Sequence, residues 1–237
     1  AASYRLAGDL RGWAECVTYG MLFSYISIGE IERCIEESEE LIKLGKEVNE
    51  PTILCRGLHV QSLVMMRMGK YEESIPFLKR ALKLTESIPD YIARSEIGAL
   101  LGECYLYSEE LQKALEILEE SERINTEHRI PDLMTNLMLW LAEVYLVFAE
   151  KKEIDNKTNW LKKARHACKC ALKAGKGSKA KLPRAIFLQG KYYWLLKKPA
   201  KAKKLWLRSR ELAEKMDLHY ELGLIEKEMG ARLKAEV

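Results

Sequence analysis

Apolar residues along this chain recur with the 3.6-residue period of amphipathic helices. Ile31, Ile35, Leu41 and Ile42 follow i, i+3, i+4, i+7 spacing, as do Leu111, Leu115 and Leu118. No stretch keeps up apolar–polar alternation, and no Asn-Gly or Asp-Gly turn joins β-rich runs, so strands are not expected. The spacing predicts leading helices over about 10–27, 52–68, 91–107, 131–150 and 183–197. Partner helices are predicted near 30–48, 71–87, 109–126, 157–175 and 199–215, with a last helix over about 217–235. Pro51, Pro131 and Pro183 fall in the first turn of a leading helix, where a missing N–H costs little. Pro76 lies inside a predicted helix and should bend it or shorten its start. Loops are expected at 150–159 and at the Gly/Lys-rich 174–179.

A ladder of small and large residues runs through these helices. It reads Leu101-Gly102, Tyr105, Ala114, Leu118, Ser121, and forty residues earlier Gln61-Ser62, Met65, Ser74, Leu78, Ala81. It returns at Gln189-Gly190, Tyr193, Ala202, Trp206, Ser209. Degenerate copies are Leu22, Tyr25, Cys34, Ser38, Leu41 and Ala142, Tyr145, Ala164, Cys168, Ala171, and a half copy is Leu222-Gly223. Small residues at fixed steps let paired helices approach closely while large ones fill between them. Gly69 and Gly29 suit the positive-φ turn between the helices of a pair.

This ladder resembles the tetratricopeptide repeat, with a period nearer forty residues than the usual 34 or so and without the repeat-ending proline. The resemblance implies an all-α, right-handed α-solenoid of about five antiparallel helix pairs plus a C-terminal capping helix. It would form a single domain over 1–237, with repeats at about 10–50, 51–90, 91–130, 131–176 and 181–216 and the cap at 217–235. It also implies a groove lined by the leading helices that takes a protein or peptide, or another domain of the same polypeptide. Carried over position by position, the groove residues are Arg56, His59, Arg67, Glu103, Tyr107, Asn136, Glu143, Arg184, Lys191 and Trp194. The apolar members of the face either anchor a partner or pack against a neighbouring helix. Phrases such as Gly190-Lys191-Tyr192-Tyr193-Trp194 and Ala213-Glu214-Lys215-Met216-Asp217 are similar to the C-terminal repeat tails of soluble class III adenylate cyclases and of related multidomain signalling ATPases. That likeness implies a regulatory or scaffolding tail, with the enzyme domains N-terminal to it. The start at Ala1, without an initiator Met or a secretory signal, reads as a segment of something longer.

Composition narrows the chemistry further. Hydrophobic residues make up 48% and charged ones 31% of the 237 residues, an ordinary globular mixture with no run long enough to span a membrane. Six scattered cysteines read as small apolar residues in a reducing compartment, hence the cytoplasm. Charge is unevenly spread: residues 1–150 carry a net −11 and residues 151–215 a net +17. Lys197, Lys198, Lys201, Lys203 and Lys204 form the densest part of a basic segment, 157–210. It offers an alternative role, binding nucleic acid or an anionic surface, although Trp206 on the core ladder argues against base stacking.

Catalytic motifs are missing. Gly175-Lys176-Gly177-Ser178 lacks the spacing of a phosphate loop and follows a helix, and no G-x-S-x-G, H-E-x-x-H or C-x-x-C occurs. His166 and Cys170 share a helical face, but Cys168 points elsewhere and fills a ladder position, so no metal is expected. His59, His128 and His219 have no sequence-evident partner and read as polar surface or groove residues. Expected, then, are no cofactor, no enzymatic activity in this segment, and a protein partner in preference to nucleic acid.

Overall fold

The structure is a computed structural model describing residues 8–20, 30–130, 134–151, 156–177 and 179–233. All regular structure among these residues is helical. Its contacts divide the chain into two compact units, Ala1–Arg129 and Ile130–Val237. The first unit contains α1 (Leu10–Gly20), α2 (Ile31–Glu47), α3 (Pro51–Arg67), α4 (Tyr71–Leu84), α5 (Tyr91–Tyr107) and α6 (Leu111–Glu127). The second contains α7 (Met134–Glu150), α8 (Lys157–Gly175), a short 3-10 turn at Lys179–Lys181, α9 (Leu182–Leu195), α10 (Pro199–Lys215) and α11 (His219–Leu233). From α2 onwards consecutive helices within each unit pack as hairpins, and each leading helix also touches the next: α1 with α3, α3 with α5, α7 with α9, and α9 with α11.

The second helices explain the ladder. Each buries one narrow stripe at i, i+4, i+7, i+11: Cys34, Ser38, Leu41, Gly45 in α2; Ala114, Leu118, Ser121, Asn125 in α6; Ala202, Trp206, Ser209, Ala213 in α10. Ser62, Gly102, Ala114, Gly190 and Ala202, the positions expected at close helix contacts, are all buried. A methyl on Gly102 would lie 2.5 Å from Cγ of Leu118. The buried serines spend their hydroxyls on backbone carbonyls, Ser62 on Leu58 at 2.7 Å and Ser209 on Pro183 at 2.6 Å, so their burial leaves no donor stranded.

Helix ends follow from local chemistry. Pro51 and Pro199 open α3 and α10, and Asp90 caps α5 by accepting the Ala93 N–H at 2.9 Å. The expected positive φ appears at Gly69 (75°), whereas Gly29 and Pro131 lie outside the described residues. α4 begins at Tyr71 and runs through the exposed Pro76, so its start is not shortened; the carbonyl this ring deprives of a partner belongs to exposed Glu72. It stops at Leu84, ahead of the expected 87, where the Thr85 and Ser87 hydroxyls donate to the carbonyls of Leu82 and Leu84 just before Pro89.

The turn used at Gly69 recurs with non-glycine residues. Asn49, Glu109, Lys197 and Asp217 all have φ between 51° and 57° or 61°, each just past a helix end. The next amide closes back across the turn, from Glu110 to the Tyr105 carbonyl at 2.8 Å and from Lys198 to the Tyr193 carbonyl at 3.0 Å. A side chain in this conformation costs about 1–2 kcal/mol. Glu109→Gly should therefore raise stability by about 0.5–1 kcal/mol after the glycine's own entropy cost. Urea unfolding followed by circular dichroism checks this; an unchanged or lower midpoint would contradict the turn assignment.

Candidate partner-binding face

In the first unit the leading helices α1, α3 and α5 meet around Arg56. That residue is 3% exposed, and its guanidinium donates to Asp90 at 2.7 Å, lies 3.6 Å from Glu15, and sits 5.6 Å over the Tyr19 ring. Burial alone would lower its pKa, but Asp90, Tyr19 and Glu15 outweigh that and hold it above the ordinary value. Its Nε and Nη1 are buried without a hydrogen-bond partner. One turn further along α3, His59 is fully buried with both ring nitrogens equally unpartnered. Burial, reinforced by Arg56, pushes its pKa down to about 3, so the ring is neutral at pH 7. Across the stack, burial raises the Glu96 carboxyl.

A longer ionic chain ties the second unit. Glu143 of α7 pairs with Arg184 of α9, whose guanidinium also faces the Trp140 ring at 5.4 Å. Lys191, two turns along α9, lies 3.8 Å from Glu228 of α11. Arg232 of α11 donates to Glu228 at 3.0 Å and pairs back with Glu150 of α7. Burial would raise the Glu143 carboxyl, yet Arg184 and Lys191 outweigh it and leave it below the usual range. Removing one member of such a buried pair strands the other and typically costs about 3–5 kcal/mol, whereas an exposed pair such as Lys215–Glu211 contributes at most about 1.

Against the expected groove, these positions divide by burial. Arg56, His59 and Arg184 are inside, so the reading of His59 as a surface or groove residue is corrected: α3 is packed by helices on both sides, which cover it at Arg56 and His59. Glu143 and Lys191 are half-buried and engaged between helices. Tyr107 stacks on Tyr71 with ring centroids 4.4 Å apart, and Trp194 leans on Trp206 at 5.5 Å. Glu103 is half-buried, while Arg67 and Asn136 are exposed. Lys197, Lys198, Lys201, Lys203 and Lys204 are all exposed, Lys201 lying 3.9 Å over the Tyr193 ring.

Sequence reasoning missed the acids and the cation that complete the pairs, namely Glu15, Asp90, Glu150, Glu228 and Arg232. A signal was available, since Glu143 and Arg184 stand one repeat apart in the chain. The remaining candidates stay outside any reactive cluster. His166 and Cys170 approach to 3.6 Å, and no described group of three or more His, Cys, Asp or Glu is placed to hold a metal. Burial pushes the thiols of Cys104 and Cys168 up to about 12, which makes them inert packing atoms. His128 stacks on Tyr91, and His219 lies beside Asp217 in solvent.

Paired helices at this spacing, meeting through small residues, have a known counterpart. Residues 56–127 match the tetratricopeptide repeat family. Solved structures extend the tetratricopeptide-like fold over most of the chain. BtubC (BKLC) from P. vanneervenii is 16% identical, covers 87% of this chain and 87% of its own, and has a TM-score of 0.58. A candidate kinesin light chain of Podosopora anserina with nearly identical TPR-like repeats is 14% identical, with 88% of this chain and 96% of its own covered and a TM-score of 0.57. A variant of that protein gives 15% and 0.58 over the same coverage. No curated protein matches the chain. Tetratricopeptide repeats generally mediate protein–protein interaction and are typically non-catalytic scaffolds.

Buried His59 makes this face sensitive to acid. Its folded pKa lies below the unfolded value of about 6.5, so its contribution is intact above that pH and is lost as pH falls towards 3. Between pH 7 and pH 5 the loss should reach about 2 kcal/mol. Urea midpoints for the natural chain and for His59→Leu at both pH values isolate it, and equal pH dependence in the two proteins would refute the assignment.

Proposed function

We propose that this chain is a protein-interaction module that regulates or scaffolds a larger signalling protein, as a C-terminal tail behind cyclase-like or multidomain ATPase parts, and works in the cytoplasm without catalysis of its own. What carries the reading is the face of the leading helices. Its charges are fixed in advance by pairs between successive helices, so little side-chain entropy remains to be lost on binding. Each unit has its own mixed aromatic and charged rim, Arg67, Glu103 and Tyr107 in the first and Asn136, Lys191 and Trp194 in the second, the composition that anchors a peptide or helix. Arg56, His59 and Arg184 act behind the rim as supports. No described helix is long and apolar enough to cross a membrane.

The alternative, binding of nucleic acid or an anionic surface through 157–210, draws on one observation: Lys197, Lys198, Lys203 and Lys204 are exposed and pair with no acid among the described residues. The rim above the pairs has no such uniform charge.

Photo-crosslinking separates the readings. A benzophenone amino acid placed at Arg67 or Asn136 of the protein in its source cells should give discrete protein adducts, whereas one at Gln112, exposed on a second helix, should not. Equal labelling at all three sites would refute the leading-helix face. Nuclease-sensitive adducts, together with salt-steep retention on heparin, would transfer the function to the basic segment.

A further inference from the structure

Each unit carries a cleft where its second helices lie side by side, and the two clefts stand at equivalent repeat positions. In the first unit a cleft of about 450 Å³ lies between α2 and α4 over α3; in the second a cleft of about 440 Å³ lies between α8 and α10 over α9. Both are in the size range of ligand pockets. Their floors are alike: Ile42, Leu58 and Phe77 in one, Leu172, Ile186 and Leu205 in the other, each with a glutamine, Gln61 or Gln189.

Their rims differ in one respect. The first is mixed, with Glu39 and Glu47 among Lys43, Lys46 and Arg80, and Lys43 lies 4.0 Å from Glu47. The second has Lys169, Lys173, Lys176 and Arg208 and no acid at all. Lys169 stands where the first cleft has Glu39, and none of its four cations has an acid within ion-pair distance among the described residues, although Arg208 acts electrostatically on Glu211 outside the lining. Four like charges around one opening repel each other and disfavour the compact unit, so they are a standing cost that an anionic occupant would relieve. The floor narrows the occupant. It is aliphatic, without a ring on which a base could stack.

The geometry points to the α8–α9–α10 cleft as a docking site for an acidic amphipathic helix of a protein partner. Two apolar side chains one turn apart enter over Leu172, Ile186 and Leu205, while carboxylates on either side meet Lys169, Lys173, Lys176 and Arg208. This surface is separate from the leading-helix face, so either can fail without the other. The charge of the rim gives attraction and register, and the apolar floor gives the burial that holds the helix in place.

The test uses the whole 237-residue chain and a synthetic capped helical peptide with leucines at i and i+4 flanked by four glutamates, titrated at low and at 0.15 M salt. Saturable binding is expected, with shifts in the methyl NMR signals of Leu172 and Leu205. Lys173→Gln with Arg208→Gln should weaken it at least tenfold while circular dichroism stays unchanged; Lys43→Gln with Arg80→Gln at the other cleft should leave it within twofold. A glutamine-for-glutamate peptide that binds equally well would overturn the proposal. So would methyl shifts elsewhere only, or displacement of the peptide by poly(U) RNA or phosphatidylserine vesicles at equal charge. Self-association of the chain that Lys173→Gln abolishes would also overturn it, because a second copy would then be the occupant.

Discussion

Among the described glycines the closest approach to a neighbouring helix's backbone lies at Gly45 of α2, where an added methyl would fall 2.5 Å from the backbone nitrogen of Leu54 and 2.7 Å from its Cα. Backbone cannot rotate away as a side chain can, so this contact tolerates glycine and little else. Equivalent sites along the other second helices carry Thr85, Asn125, Gly175 and Ala213, all buried. At the hairpin contact of α9 with α10, the indole of Trp206 occupies the space a Gly190 side chain would need, and its N–H donates to the Phe187 carbonyl at 3.2 Å. With helices this close, the leading helices touch their neighbours directly, and charges on the touching faces, such as Arg56 and Arg184, fall between two elements.

That closeness decides what the face can do. Arg56 and Arg184 occupy positions which in a looser stack would point into a groove. Here they are covered and become the links between helices. The ionic chain through Glu143, Arg184, Lys191, Glu228, Arg232 and Glu150 holds α7, α9 and α11 together in the second unit, leaving aromatic and polar residues at the rim. Acid and base balance along this face. On the side of the second helices in the second unit the balance fails at the rim of the α8–α10 cleft, which carries part of the excess charge of residues 151–215, the exposed lysines 197–204 carrying another part.

Much of the fold was legible because it depends on residue size at fixed steps. Gly102 opposite Leu118 and Gly190 opposite Trp206 are readable as a ladder before any coordinates, and ten of the helices lie close to their expected spans. Less was legible where a residue's role depends on what covers it. His59 occupies a position that faces a groove in the resembling family, but packing from both sides of α3 buries it, and nothing in the adjacent sequence signals that. Glu109 and Lys197 adopt a left-handed turn without a glycine to advertise it. The partners of Arg56 and Lys191 lie 34 to 41 residues away, on elements that meet only once the repeats are stacked.

Close approach at small residues is most directly tested by two Gly→Ala substitutions expected to act in opposite directions. Gly223 of α11 is exposed with open space where its Cβ would lie, so alanine there should stabilise by up to about 1 kcal/mol through helix propensity. Gly45→Ala gains the same propensity but meets the Leu54 backbone, and should lose about 1–3 kcal/mol in equilibrium urea unfolding. Opposite signs are the predicted result; stabilisation by both substitutions would contradict the account, because it would mean that the helices do not meet at Gly45.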